Sequence, residues 1–325
     1  MMRLLAVELN RFRSRRAIAL LALAAVLVAA VLVGATAWQT RPLSKADHTD
    51  ATAQAALEGQ RAEIQQQVRA CRADPKSYLG PSATAEKCAD ALIPGPDAYF
   101  PRDPLTLRSA LSASGLGLPL ALIVIGLMVI AGSTFMGADW SSGSLTNQLI
   151  FEPRRPRLWL AKAAAVVIGC GLITLVALGG FWLGVGAIAQ ARDITVSSTE
   201  VSHVVWHVLR GVALSMGAGL GAFALTAVFR HTVATLALLF IYSVGGELAV
   251  NLLPFEGAGR WSVGNNTFGW LATHHRYFDA TITCTPGERC TSMQVMTHLE
   301  AGTFLGILLL IAVMVSLAWF RRSDV

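Results

Sequence analysis

Residues 17–38 read AIALLALAAVLVAAVLVGATAW, a run of 22 positions without a charge. A helix rises about 1.5 Å per residue, so this run can cross the roughly 30 Å hydrocarbon core of a bilayer. Four arginines precede it within residues 11–16. Ala35-Thr36-Ala37 has the small-residue form of a leader cleavage site. The apolar run is nevertheless longer than the roughly 7–15 residues of a leader core, so a retained anchor is expected. Apolar stretches recur at 109–136, 161–190, 205–229, 232–253 and 299–320. The expected fold is an all-α integral membrane protein with six transmembrane helices. Composition agrees: 54% of residues are hydrophobic, 14% are charged and the mean hydropathy is +0.54. A soluble domain carries about 25% charged residues, so a soluble globular enzyme is excluded.

Charge sets the expected orientation. Segments 1–16, 137–162, 230–231 and 321–325 hold 12 of the 26 Lys and Arg but 4 of the 20 Asp and Glu. Short basic loops stay on the cytoplasmic side. Both termini are therefore expected in the cytoplasm of a multi-pass plasma (inner) membrane protein. Segments 39–108, 191–204 and 254–298 then fall outside.

Cysteine usage fits that orientation. Cys71, Cys88, Cys284 and Cys290 lie in the outer segments, where an oxidising compartment favours disulfides. Of the three possible connectivities, the sequence-local pairs Cys71–Cys88 and Cys284–Cys290 are expected. Cys170 lies within the third span and reads as a small packing residue.

Residues 39–108 form a small extracellular domain in this reading. Leu57, Ile64, Val68 and Cys71 recur at helical spacing, which predicts one long helix over 46–73 ended by Asp74-Pro75. Pro81, Pro94, Pro96, Pro101 and Pro104 punctuate the remainder. Its nine basic and nine acidic residues give it no bias toward polyanions. The aromatic loop 254–298, with Phe255, Trp261, Phe268, Trp270, Tyr277 and Phe278, predicts a re-entrant or interfacial helix pair. At the N-terminus, Leu5, Leu9 and Phe12 share one helical face while Arg3, Arg11 and Arg15 lie elsewhere. That is the pattern of an amphipathic elbow helix over 1–16, with its bases on anionic lipid rather than nucleic acid.

The segment between the second and third spans, 137–160, is the most specific. Ser142 is expected to cap a short helix, Leu145 and Leu149 to share its apolar face, and Pro153 to end it. Pro156 suits the first turn of the next helix. Such a helix lies across the bundle with an apolar edge suited to a cytoplasmic partner's groove. An acid and an aromatic (Asp139, Trp140) lead into Gly143-Ser144-Leu145, then Glu152-Pro153-Arg154-Arg155 and Ala161-Lys162, after Gly137. At these residues the chain resembles the coupling-helix region of ABC-2-type transporter permeases, above all actinobacterial ones. Asp139 stands where Glu is commoner and Ser144 where Thr is. Six spans, the elbow helix and a large first outer loop extend the resemblance over the chain. It implies a permease subunit of an ATP-driven exporter, paired with a second copy of itself or a homologous permease. Two copies of a separate cytoplasmic ATPase subunit would bind ATP and Mg. The implied ATPase-coupling residues are Asp139, Trp140, Gly143, Ser144, Leu145, Leu149, Glu152, Arg154 and Arg155.

Other chemistry is sparse. The four lysines, Lys45, Lys76, Lys87 and Lys162, do not follow a glycine, so the chain has no Walker A loop, and no cofactor of its own is expected. His203 and His207 are one turn apart without a third metal ligand nearby, so no metal is expected. Nor is enzymatic activity, because hydrolase motifs are lacking. Glu247, an acid within the fifth span, is a candidate for lining a pore. Gly180 and Gly184, and Gly217 and Gly221, are four apart and predict close helix packing within one subunit. Few charges in the spans suit amphipathic, lipidic, peptidic or drug-like cargo. The competing reading is a non-transporting sensor or immunity component, with 39–108 as its receptor.

Overall fold

The computed structural model describes residues 2–80, 83–112, 115–253, 255–272, 275–279, 281–282 and 291–322, excepting the Asn251 side chain. Met2–Ser14 forms α1, and after Arg15 the chain continues as α2, Arg16–Gln39. Four short helices follow: α3 (Lys45–Gly59), α4 (Ala62–Ala73), α5 (Pro75–Leu79) and α6 (Lys87–Leu92), then a 3-10 turn at Pro96–Tyr99. Next come α7 (Leu107–Leu111), α8 (Gly117–Ser141), α9 (Ser144–Phe151), α10 (Arg155–Ala191) and α11 (Ser198–Phe229). The fifth apolar segment is α12 (Thr232–Ile241), a π turn at Tyr242–Gly246 and α13 (Glu247–Asn251). A 3-10 turn (Ala258–Trp261), α14 (Val263–Leu271), strands β1 (His275–Phe278) and β2 (Met293–Met296), and α15 (His298–Arg322) complete the order. Six of these helical segments are long and apolar enough to cross a membrane, which makes the chain a multi-pass membrane protein.

The chain divides into two compact units, Ala35–Leu105 and the remainder. In the larger one the core lies on α8, α10 and α11. Half of the apolar stretch of α8 and of α10 is buried, against 17% for α2, 6% for the fifth segment and 11% for α15. The outer three present apolar faces to their surroundings, which hydrocarbon permits because lipid tails are as apolar as leucine. Helices α10 and α11 run antiparallel: β-carbons on Gly219 and Gly211 would meet Cys170 and Leu178, and the Trp182 ring meets His207 edge-on at 5.8 Å. Helices α8 and α11 meet backbone to backbone, where a β-carbon on Gly132 would lie 2.0 Å from the Gly219 carbonyl oxygen. Gly217 and Gly221 pack on Leu309 of α15 and Gly184 on Val33 of α2, whereas Gly180 faces open space. The Trp159 indole N–H donates to Ser316 Oγ at 3.2 Å, tying α10 to α15. Cys170 is a buried free thiol.

Several expected boundaries shift. The second span begins at Gly117, after the separate α7, and α10 and α11 reach further than 161–190 and 205–229. In the smaller unit the expected long helix is two. Ser44 and Asp47 form a capping box for α3, and Ala51, Ala55 and Gly59 are its buried residues. Leu57 therefore points outward and is 67% exposed. The helix stops where Gly59 meets the Ile93 side chain, and Arg61 in extended backbone starts α4. Cys71 and Cys88 form the expected disulfide, which ties α4 to α6. Cys284 and Cys290 lie outside the described residues. The expected helix pair over 254–298 is corrected. One helix, α14, is followed by an antiparallel pair, His275 opposite Met296 and Phe278 opposite Met293. The pattern explains it: Tyr277 and Met296 point inward to pack with Ala301 and Trp270, and their neighbours alternate outward.

Candidate functional site

The short helix α9 hangs between two long ones, and glycine and proline set its limits. Gly143, at φ 64°, takes the left-handed conformation that separates α8 from α9. Ser142 is not the cap that the sequence suggests: it closes α8, its hydroxyl donating to the Ala138 carbonyl at 2.7 Å. Glu152, before Pro153, leaves the helical region at φ −129° and ψ 89°, as the residue preceding a proline tends to. Pro156 occupies the first turn of α10.

Three side chains from three elements meet at the root of α9. Asp139, in the last turn of α8, and Lys162, in the second turn of α10, have no exposed surface, and the Lys162 ammonium lies 2.5 Å from Asp139 Oδ2. The same ammonium donates to Glu8 Oε2 of α1 at 2.9 Å. Asp139 Oδ1 accepts from Arg11 at 3.0 Å, from Arg15, and from Ser144 Oγ of α9 at 2.9 Å. Arg11 also reaches Glu8 at 3.2 Å, and Arg15 donates to the Phe135 carbonyl at 2.9 Å. The Phe135 ring lies 4.8 Å from the Arg15 guanidinium and 5.3 Å from the Lys162 ammonium. Two carboxylates thus face three cations, and every member is hydrogen-bonded, the condition under which buried charge is tolerated.

Helix α1 is held there by shape as well. Phe12 is buried against Gly169 of α10, where a β-carbon would lie 2.3 Å from its ring, and meets Phe135 edge-on at 5.2 Å. Of the arginines expected to face lipid, Arg11 and Arg15 turn inward to Asp139, whereas Arg3, Arg13 and Arg16 are exposed.

Of the residues singled out by sequence, Asp139 and Ser144 belong to this cluster. Trp140 lies beside it, its ring 4.6 Å from the Arg230 guanidinium at the α11–α12 turn. Leu145 is 1% exposed and Leu149 half-buried, so the expected apolar edge turns into the chain. The free edge is Ile150 and Phe151, 74% and 89% exposed. Glu152 accepts from the Arg154 backbone N–H, and Arg154 and Arg155 stand outside the cluster. Glu247 is far along the chain: its carboxylate accepts from Ser262 Oγ at 2.5 Å and from the Gly264 N–H at 2.7 Å, capping α14. Glu8, Arg11, Arg15 and Lys162 were not read as site residues. One signal was present: three of the four lysines fall within 39–108, and the fourth opens the span that follows Asp139. His207 is buried beside Trp182, and among the described residues no three His, Cys, Asp or Glu side chains gather as a metal site would require.

No protein-family model, curated protein or solved structure matches the chain.

Proposed function

We propose that this chain is the membrane subunit of an ATP-driven exporter of the ABC-2 type, energised by a separate ATPase. The observation that carries the reading is α9. A two-turn helix presents Ile150 and Phe151 to its surroundings while its root is tied by Ser144 and Asp139 to α1, α8 and α10. A force on that edge has a stiff path into two apolar helices, which is what a pore driven by an external motor requires. The resemblance of 137–162 to a coupling-helix region supports the same assignment.

In this reading α9 and the bases Arg154, Arg155 and Arg157 face the cytoplasm. The α1 helix rests at the inner surface, and residues 35–105 lie outside the cell. Two copies of the chain, or this chain and a homologous permease, enclose the pathway, and each docks one ATPase copy that binds ATP and Mg. Ile150 and Phe151 replace Leu145 as the docking edge, since Leu145 is enclosed by its own chain.

The test is co-expression with a candidate ATPase that carries a Walker A loop and copurifies with the wild-type chain. Ile150→Asp with Phe151→Asp should abolish copurification and leave the melting temperature of the isolated chain unchanged. An intact complex from that double variant would overturn the assignment.

A further inference from the structure

Beside the ion cluster lies a crevice of about 680 Å3. Its walls are the first turn of α2, the last two turns of α8, Ser144 of α9 and the turn between α11 and α12. Arg11, Arg15, Arg16, Arg230 and His231 line it, against a single carboxylate, Asp139. That carboxylate and Glu8, which lies outside the lining, face Lys162, Arg11 and Arg15, so one of those three charges, Arg16 and Arg230 are in excess. The crevice is therefore strongly cationic. Arginine is the side chain best suited to a phosphate, because its fork of donors can take two oxygens at once.

One face of α8 leads away from it. Ile123, Gly126, Ile130 and Thr134 recur at spacings of three and four, so they share a face. Ile123 and Ile130 are 44% and 36% exposed, and Gly126 borders open space. Thr134 and, one turn on, Ala138 bring this face into the crevice. The two helices that begin at its rim belong to the sparsely covered outer three: Leu20, Leu23 and Leu27 of α2 and Val233, Phe240 and Ile241 of α12 are exposed. A cationic pocket at the end of an exposed apolar track matches one chemistry, a phosphate head on a hydrocarbon tail.

We propose that the crevice binds one anionic phospholipid. Its phosphate lies among Arg16, Arg230 and His231, and an acyl chain runs along the Ile123–Thr134 face of α8. Arg11 and Arg15 border the same phosphate while holding Asp139, so an occupied site leans on the root of α9. The inference concerns binding by this chain alone and stands apart from the exporter assignment.

The experiment is native mass spectrometry of the full chain in neutral detergent, titrated with phosphatidylglycerol or phosphatidylcholine of equal chain length. Wild type should retain one phosphatidylglycerol in preference to phosphatidylcholine. Arg16→Gln should lower that retention by about fivefold, and Arg16→Gln with Arg230→Gln further still. Arg3→Gln with Arg13→Gln, which removes exposed bases of α1 away from the crevice, should leave it unchanged. The single Arg16→Gln variant carries the test if the double variant does not fold. Equal retention of the two lipids, or equal losses in the two double variants, would overturn the proposal. Displacement by millimolar inorganic phosphate would assign the pocket to a free anion, and displacement by a soluble acidic peptide to a protein partner. Either result refutes the lipid. Because no ATPase is present, failure here is distinct from failure of the docking test.

Discussion

The Lys162 ammonium sits 2.5 Å from the Asp139 carboxylate although 23 residues and the whole of α9 separate them in the chain, and neither has exposed surface. Removing one partner of a buried pair leaves an uncompensated charge, which costs about 3–5 kcal/mol. Asp139→Asn should therefore lower the melting temperature of the purified chain sharply. Lys162→Met should do the same by leaving Glu8 and Asp139 to the two arginines. The double variant should lose less than the two single losses combined. Strict additivity would show that the two side chains are not energetically coupled.

Gly132 should tolerate no side chain. A methyl there would meet the Gly219 carbonyl at 2.0 Å, backbone against backbone, and push α8 from α11. Gly132→Ala should destabilise by about 1–3 kcal/mol. Gly126→Ala, six residues away on the same helix and facing open space, should be neutral or slightly stabilising. Thermal melts of the two variants side by side check this, and equal melting temperatures would contradict the packing described.

Glu247 should behave as a structural cap. Its carboxylate holds the Ser262 hydroxyl and the Gly264 N–H at the start of α14. Glu247→Ala should raise hydrogen exchange in α14 by an amount equivalent to about 0.5–2 kcal/mol, with α8 and α11 unchanged. Unaltered exchange in α14 would return the residue to the pool of candidate pathway groups.

His275 should make the β1–β2 pair sensitive to acid. Burial holds its imidazole below the ordinary value of 6.5, between the rings of Phe268 and Tyr277. Its folded-state pKa is depressed, so the unfolded chain binds more protons between the two values. The contribution to stability is complete above 6.5 and is lost as the pH falls from there through the folded-state value. Exchange of the β1 and β2 amides, corrected for intrinsic rates, should accelerate between about pH 7 and 5. His275→Phe should abolish that acceleration. A pH response that survives this substitution would place the titrating group elsewhere.

The six apolar helices were legible because each is written as a continuous local run, and length alone distinguishes a span from a buried segment. What failed was decided at a distance. Nothing near Leu57 states that the buried face of α3 is Ala51, Ala55 and Gly59, because the Ile93 side chain that meets Gly59 comes from another part of the chain. Leu145 and Leu149 were rightly placed on one face of α9. Which face is free depends on the neighbours α9 docks against, and the answer was Ile150 and Phe151. Tyr277 and Met296 alternate over strands of only four residues, too short to stand out among aromatics. The ion cluster was half-visible: Asp139 lay within a noticed motif, while Glu8, 154 residues from its lysine, looked like one more charge on an amphipathic helix.

The 37 residues of α10 run without interruption from Arg155 to Ala191. At 1.5 Å each they form a rod about 55 Å long, far more than the roughly 30 Å of hydrocarbon it has to cross. Its only proline is Pro156, in the first turn, so no proline hinge interrupts the shaft. A tilt imposed at the α9 end must therefore sweep the opposite tip, near Ala191, through an arc, as an oar turns in its lock.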